Sequence, residues 1–333
     1  MSSTEDIWCA AQNGNITRLS ALIGAKAALD VMGGDEGEDA KTPLHHSAWC
    51  GQNEAVQLLI HAKATVDAKD ARDRTPLHFA ALCGHSEAVQ LLIDAKAVVN
   101  ARNQEGKTPL HFAAWCGHKE AALKLIHANA IVDAKCRDER TPLHLASWCG
   151  HGAALYILID AKAAVNDEDR WSATPLHYAA SGGYSEIVQG LIDAKATIDV
   201  RNREQKVPLH EAAAYDRGSV IKVLSDAKAD LGVRDRVGKT ALHIAVEDGR
   251  SGAAVALIDV KGTVDAQDRH QRTPLHYAAR GGHTAILCVL IDAKASVDVA
   301  DGDKSTPLHL ASAHGHTEAM KALLGSICDP DSA

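Results

Sequence analysis

The chain has no excess of positive charge, no long apolar run, and none of the glycine-rich loops or strained elbows on which nucleotide-binding and hydrolytic sites are built. Lysine and arginine number 35 against 43 aspartates and glutamates, a net charge of −8, which argues against nucleic acid or anionic membrane as partner. The opening residues are polar and acidic and lack the basic-then-apolar pattern of a secretion signal, and no stretch approaches the roughly 20 apolar residues of a membrane span. These absences predict a cytoplasmic or nuclear protein. Eight cysteines form an even set, but a chain of 333 residues without a secretion signal needs no disulfide framework, so they read as reduced thiols.

What is present is ordinary in composition and unusual in order. With 46% hydrophobic and 23% charged residues, the chain can bury a core. A length of 333 residues suggests two or three domains unless the chain repeats itself. It does. Thr-Pro-Leu-His begins at Thr42, Thr75, Thr108, Thr141, Thr174, Thr273 and Thr306, with variants at Val207 and Thr240, always 33 residues apart. A glycine follows each threonine nine residues on in eight copies (Gly51 and Gly84 among them), often with histidine behind it, as at His85, His118 and His151. A leading copy over 5–29 keeps Ala10, Ala11, Gly14 and Ala25-Lys26-Ala27 but lacks the anchor, as a capping repeat would.

This period and its Thr-Pro-Leu-His-x-Ala core resemble the ankyrin repeat. The resemblance implies an all-α repeat solenoid of helix-turn-helix pairs with projecting β-hairpin loops. It implies a single domain over 1–333, with a cap repeat at 5–37, internal repeats at 38–302, and a last repeat and tail at 303–333.

One copy can be read without the family. In 75–99, Thr75 and Pro76 start a helix, Leu77, Ala80 and Ala81 share a face, and Gly84 ends it where a left-handed residue is needed. A second helix from Ser86 presents Val89, Leu92 and Ile93 on one side. Neither helix is long enough to stand alone, so stability must come from stacking.

Some positions depart from the family pattern. Where ankyrin-type repeats place glycine after the second helix, this chain has Lys26, Lys63, Lys96, Asn129, Lys162, Lys195, Lys228, Lys261 and Lys294, which predicts positive φ at several of these non-glycine residues. The copies over 207–262 read as weakest: Ser225 stands at a position read as core, Asp216 replaces the helix-ending glycine, and Ala241 replaces the helix-starting proline. The first linker, 31–41, is four residues longer than the others and reads as a flexible acidic finger through Gly33-Gly34-Asp35-Glu36-Gly37-Glu38-Asp39.

Histidine is abundant, but nine of 19 sit in the anchor, one per copy, which predicts a repeated structural hydrogen bond because a catalytic site is built once. Cys-Gly-His recurs at 83–85, 116–118 and 149–151, yet copies about 10 Å apart cannot converge on one metal ion or form a disulfide. No unique grouping of Cys, His and carboxylate lies outside the repeat register, so neither enzyme activity nor a cofactor or small-molecule substrate is expected. Basic residues precede each anchor in the hairpins, Arg74, Lys107 and Arg140 among them, but Asp70, Asp73, Glu105, Asp138 and Asp169 share those hairpins and neutralise much of the charge.

The expected function is a non-enzymatic scaffold that binds a protein partner. A regulatory or targeting subunit of an enzyme, or a bacterial effector, is the alternative. In ankyrin-type proteins the two residues before the helix-ending glycine face the concave groove. By resemblance that role falls on Trp49-Cys50, Leu82-Cys83, Trp115-Cys116 and Trp148-Cys149, and later copies are more polar there. The competing reading is that the tryptophans fold down and fill gaps between first helices. Arg74, Lys107 and Arg140 are expected to add contacts from the hairpins.

Overall fold

The structure is a computed structural model that describes residues 3–33 and 40–328. The acidic stretch from Gly34 to Asp39 lies outside the described residues, so the finger read there is not seen. Among the described residues the chain forms twenty helices in ten pairs, from Ser3–Gln12 with Ile16–Gly24 to Pro307–Ala313 with Thr317–Cys328. They fall into two compact units, Met1–Arg170 and Trp171–Ala333.

Within each unit the anchor sets the helix start. Thr75 is extended at φ −94° and ψ 165°, Pro76 is the first helical residue, and the helix runs Pro76–Cys83. The third helical residue, His78, reaches back: its Nδ1 accepts from the Thr75 N–H at 3.0 Å and lies 3.0 Å from the Thr75 hydroxyl. This is a capping box in which imidazole takes the part usually played by a glutamate. A backbone N–H can only donate, so the ring proton sits on Nε2, which donates to the carbonyl of Lys107 at 3.1 Å, in the next repeat's hairpin. The same bridge joins His45 to Arg74, His111 to Arg140, His210 to Lys239, His243 to Arg272 and His276 to Ser305. Burial holds His45, His78 and His111 neutral, with pKa lowered to about 4. The repeated structural bond read from the spacing is thus present.

Leucines of the anchor and of the second helices form the cores: Leu44, Leu59, Leu77, Leu92, Leu110 and Leu125 in the first unit, and Leu176, Leu191, Leu224 and Leu275 in the second, are fully or almost fully buried. The alanines after each anchor, such as Ala80, Ala81, Ala113 and Ala114, are also fully buried, and their small size lets neighbouring first helices approach. Ser225 is a milder defect than its place in the sequence suggests. Its counterparts Ile60, Ile93 and Ile192 are themselves only half-buried, and the fully buried position next to it is kept as Leu224.

All eight helix-ending glycines have positive φ, and Asp216 adopts φ 59° in their place. The lysines after the second helices do the same: Lys26, Lys63, Lys96, Lys162, Lys195, Lys228, Lys261 and Lys294 lie at φ 59–70°, with Asn129 at 63°. Around Lys96 the N–H of Ala97 bonds to Leu92 O at 3.0 Å and that of Lys96 to Ile93 O at 2.9 Å. That is a Schellman closure made with lysine where glycine is the usual residue.

The projecting loops are closed turns without a strand ladder: among the described residues the one isolated β-bridge joins Gly33 to Lys41. An Asp or Asn at the base organises most of these turns, while Cys136 stands at that position in the turn closed by Cys136 N–H to Arg140 O. Asp70 Oδ1 accepts from the N–H groups of Arg72 and Arg74, and Asn103, Asn202, Asp235, Asp268 and Asp301 repeat the pattern. Single backbone bonds then link successive tips, as from Gln104 N–H to Arg72 O at 3.0 Å and from Arg236 N–H to Glu204 O at 3.0 Å. Asp70, Asp169, Asp235 and Asp268 are therefore buried braces, where their sequence positions suggested rim charges.

The first pair belongs to the stack despite its missing anchor. Ile7, Ala10, Ala11 and Leu19 are buried, and the Trp8 indole N–H donates to Val31 O at 3.0 Å. The Trp8 ring lies so close over Gly33 that a Cβ there would fall 1.8 Å from it, so this linker needs glycine at that point.

Candidate protein-binding face of the first unit

The tryptophans stand in the last turns of the helices Pro43–Trp49, Pro109–Trp115 and Pro142–Cys149, with Leu82 at the same station in Pro76–Cys83. Because these helices start at a fixed proline and stack through alanines, the same position of each repeat comes to the same face. Trp49, Trp115 and Trp148 are 42%, 40% and 47% exposed. That decides between open and folded-down indoles: the alanines fill the space between first helices, and each indole keeps close to half its surface in solvent.

Their covered side is occupied by the basic residue that precedes each anchor. Lys41 Nζ lies 4.7 Å from the Trp49 ring, Lys107 Nζ 4.6 Å from Trp115, and the Arg140 guanidinium carbon 4.8 Å from Trp148. These are cation–π contacts. In the copy with Leu82 there is no indole, and Arg74 stacks instead 4.5 Å from Phe79, which itself lies 5.7 Å from Trp49.

Carboxylates hold three of these four basic residues. Arg74 Nε is 2.7 Å from Asp70, Lys107 Nζ 2.6 Å from Glu105, and Arg140 Nε 3.4 Å from Asp169, with basic side chains only 14%, 18% and 17% exposed. The three residues expected to reach out from the hairpins instead fold inward, Lys107 and Arg140 against the indoles and Arg74 against Phe79. Sequence spacing carried a signal for this, since each basic residue stands a constant eight residues before its tryptophan, but only in a fold that turns that interval back on itself.

Of the flanking thiols, Cys50 is exposed and Cys83, Cys116 and Cys149 are half-buried; all are free. Burial raises the pKa of each, so they are protonated at neutral pH and weakly nucleophilic. The nearby Trp115 indole N–H offsets part of that rise at Cys149. Among the described residues no group of three or more His, Cys, Asp or Glu could hold a metal ion.

The residue after the helix-ending position, histidine in several copies and arginine in others, has a role the sequence reading did not find. His85 Nε2 lies 3.0 Å from Trp49 O, and His118 Nε2 3.0 Å from Leu82 O. In the second unit Arg217 Nε donates to Ser181 O and Arg250 Nε to Ala214 O, each at 3.0 Å, and His316 Nε2 lies 3.1 Å from Arg280 O. One donor from the following repeat thus closes the C-terminal end of each of these first helices. The constant one-repeat offset of these donors was the available signal.

The matching face of the second unit is polar. Ser181, Ala214, Glu247 and Arg280 replace the indoles, Tyr215 is 55% exposed, and Lys239 pairs with Glu247 while stacking 4.8 Å from Tyr277. The Tyr277 hydroxyl donates to buried Asp268 at 2.7 Å.

Comparison with known proteins agrees with this architecture. Family models described as ankyrin repeats in three copies match residues 64–136, 96–169, 130–204, 209–301 and 260–333, and one described as an ankyrin repeat matches 39–71. The chain belongs to the ankyrin repeat family. A crystal structure of the human ASB11 ankyrin repeat domain is similar at 28% identity and a TM-score of 0.62, covering 67% of this chain and 99% of that one. No curated protein matches. Ankyrin repeats generally mediate protein–protein interaction. No helix among the described residues is long and apolar enough to cross a membrane.

Proposed function

We propose that this ankyrin repeat protein is a non-enzymatic interaction scaffold in the cytoplasm or nucleus, and that it holds a protein partner on the indole row of its first unit. The observation that carries the reading is the row itself, three half-exposed tryptophans at one station of nearly consecutive repeats. Covering about 100 Å² on each contributes roughly 2.5 kcal/mol apiece at about 25 cal/mol per Å². The total of about 7.5 kcal/mol falls inside the roughly 4–15 kcal/mol that association costs, so tight binding needs contacts beyond the row. Trp49, Trp115 and Trp148 are the proposed hot spots, with Leu82 and the thiols of Cys50, Cys83, Cys116 and Cys149 between them.

The test is Trp115→Ala in a binding assay with proteins recovered from lysate, with thermal unfolding measured in parallel. Loss of binding with a small change in stability supports the reading. Binding that persists while stability falls by about 3 kcal/mol or more would make Trp115 a core residue and end it.

A further inference from the structure

If the indole row is the docking face, as proposed above, its period, charge and size narrow the kind of segment it takes. Trp49, Leu82, Trp115 and Trp148 repeat every 33 residues, and stacked helices place equivalent residues about 10 Å apart. A polyproline II helix has three residues per turn and rises about 3.1 Å per residue, so every third side chain returns to one face after about 9.3 Å. A β-strand cannot match that step, because residues three apart point to opposite sides. An α-helix can, with positions seven apart separated by about 10.5 Å. Period alone therefore leaves two candidates.

Size and charge choose between them. Three indoles 40–47% exposed offer about 300 Å² in all, against about 800 Å² on each side of a standard interface. A globular partner or a second copy of this chain would find too little surface here. A segment that must first fold into an amphipathic helix would spend much of so small a contact on ordering itself. A proline-rich segment already holds its helical form and stacks on aromatic rings. Arg74, Lys107 and Arg140 are held by Asp70, Glu105 and Asp169, and Lys41 is buried against Trp49, so what the row presents is ring carbon and protonated thiol.

We propose that the row is a docking strip for an uncharged polyproline II segment with proline at every third residue, one pyrrolidine ring to a rung. Two acetylated, amidated peptides of the same composition test it, titrated calorimetrically into the full chain. One is (Pro-Gln-Ala)4, with all four prolines in phase with the rungs, and the other is (Pro-Pro-Gln-Ala-Gln-Ala)2, the out-of-phase peptide, in which no more than two prolines share a face. A third peptide, an amphipathic helix with leucines seven residues apart, represents the alternative. The in-phase peptide is expected to bind about tenfold or more tighter than the out-of-phase one, and to lose about tenfold with Trp115→Ala. Raising salt from about 0.05 to 0.5 M should change its affinity by less than about twofold, since no ion pair forms.

Leu82→Trp supplies the missing rung and should tighten in-phase binding about fivefold, a gain that misfolding cannot mimic. Equal affinities for the two proline peptides, or no gain with Leu82→Trp, overturn the proposal. If the leucine peptide alone binds, and Trp115→Ala abolishes that binding, the polyproline assignment fails while the docking face stands. If no peptide binds and a lysate partner is held equally well by Trp115→Ala, the docking face fails with it.

Discussion

The imidazole Nε2 of His85 lies 3.0 Å from the carbonyl oxygen of Trp49, so the first indole of the row is held at its backbone by the following repeat. The His85 ring also covers Gly51, where an added Cβ would fall 2.5 Å from Nδ1, at φ 68°. Gly51→Ala should therefore destabilise by about 2–3 kcal/mol, combining left-handed strain with displacement of the ring. Gly315 has φ 72° and nothing within 4 Å of a built Cβ, so Gly315→Ala should cost only the backbone part, about 1–2 kcal/mol. Chemical denaturation of the two variants checks the difference, and equal losses would show that the histidine yields freely.

Lys96→Gly should stabilise. Lys96 is exposed, sits at φ 67°, and closes its helix with backbone bonds that glycine keeps. Relief of left-handed strain is worth about 1 kcal/mol, less the entropy glycine adds to the unfolded chain. A melting temperature below that of the parent would show that the lysine stem makes compensating contacts.

Stability should fall as pH is lowered from about 6.5 to about 4, and the anchor histidines give the sign. His45, His78 and His111 have folded pKa lowered from 6.5 to about 4, and burial lowers those of His210, His243 and His276 as well. Their stabilising effect is complete above the unfolded value, where both states are neutral. Between the two values only the unfolded chain takes up protons, which favours unfolding. A shift from 6.5 to about 4 corresponds to about 3 kcal/mol per histidine at the acid end. Denaturant midpoints at several pH values measure it, and a flat profile across this window would contradict the buried neutral imidazoles.

Val207→Thr should stabilise by about 0.5–1.5 kcal/mol. At this fully buried position His210 Nδ1 accepts only the Val207 N–H, at 3.2 Å, whereas His243 in the next copy also has the Thr240 hydroxyl at 2.9 Å. Threonine keeps the shape of valine and brings the missing hydroxyl to a waiting acceptor. An unchanged or lower denaturation midpoint would mean the imidazole cannot turn to meet it.

The face that carries the proposed function was half legible in the sequence. Trp49, Trp115 and Trp148 could be placed at one station of the repeat because the proline start and glycine stop of each first helix are written in the chain. That Arg74, Lys107 and Arg140 lie inward could not be read, because it depends on buried Asp70 and Asp169 and on the aromatic rings that the fold brings beneath them. The bridge from an anchor imidazole such as His78 crosses 29 residues, and the cap from His85 to Trp49 crosses 36. Each joins residues of neighbouring repeats.

The division follows from the range of the interactions. Helix starts, helix ends, the 33-residue period, the left-handed lysines and the structural place of the anchor histidines depend on residues a few places apart, or on a pattern repeated often enough to be unmistakable, and the sequence alone determined them. Which side chains stay open to solvent, which charges are cancelled, and which donor closes which helix depend on contacts about one repeat length away in the chain. Only stacking brings those groups within hydrogen-bonding or van der Waals distance, and so only the tertiary structure decided them.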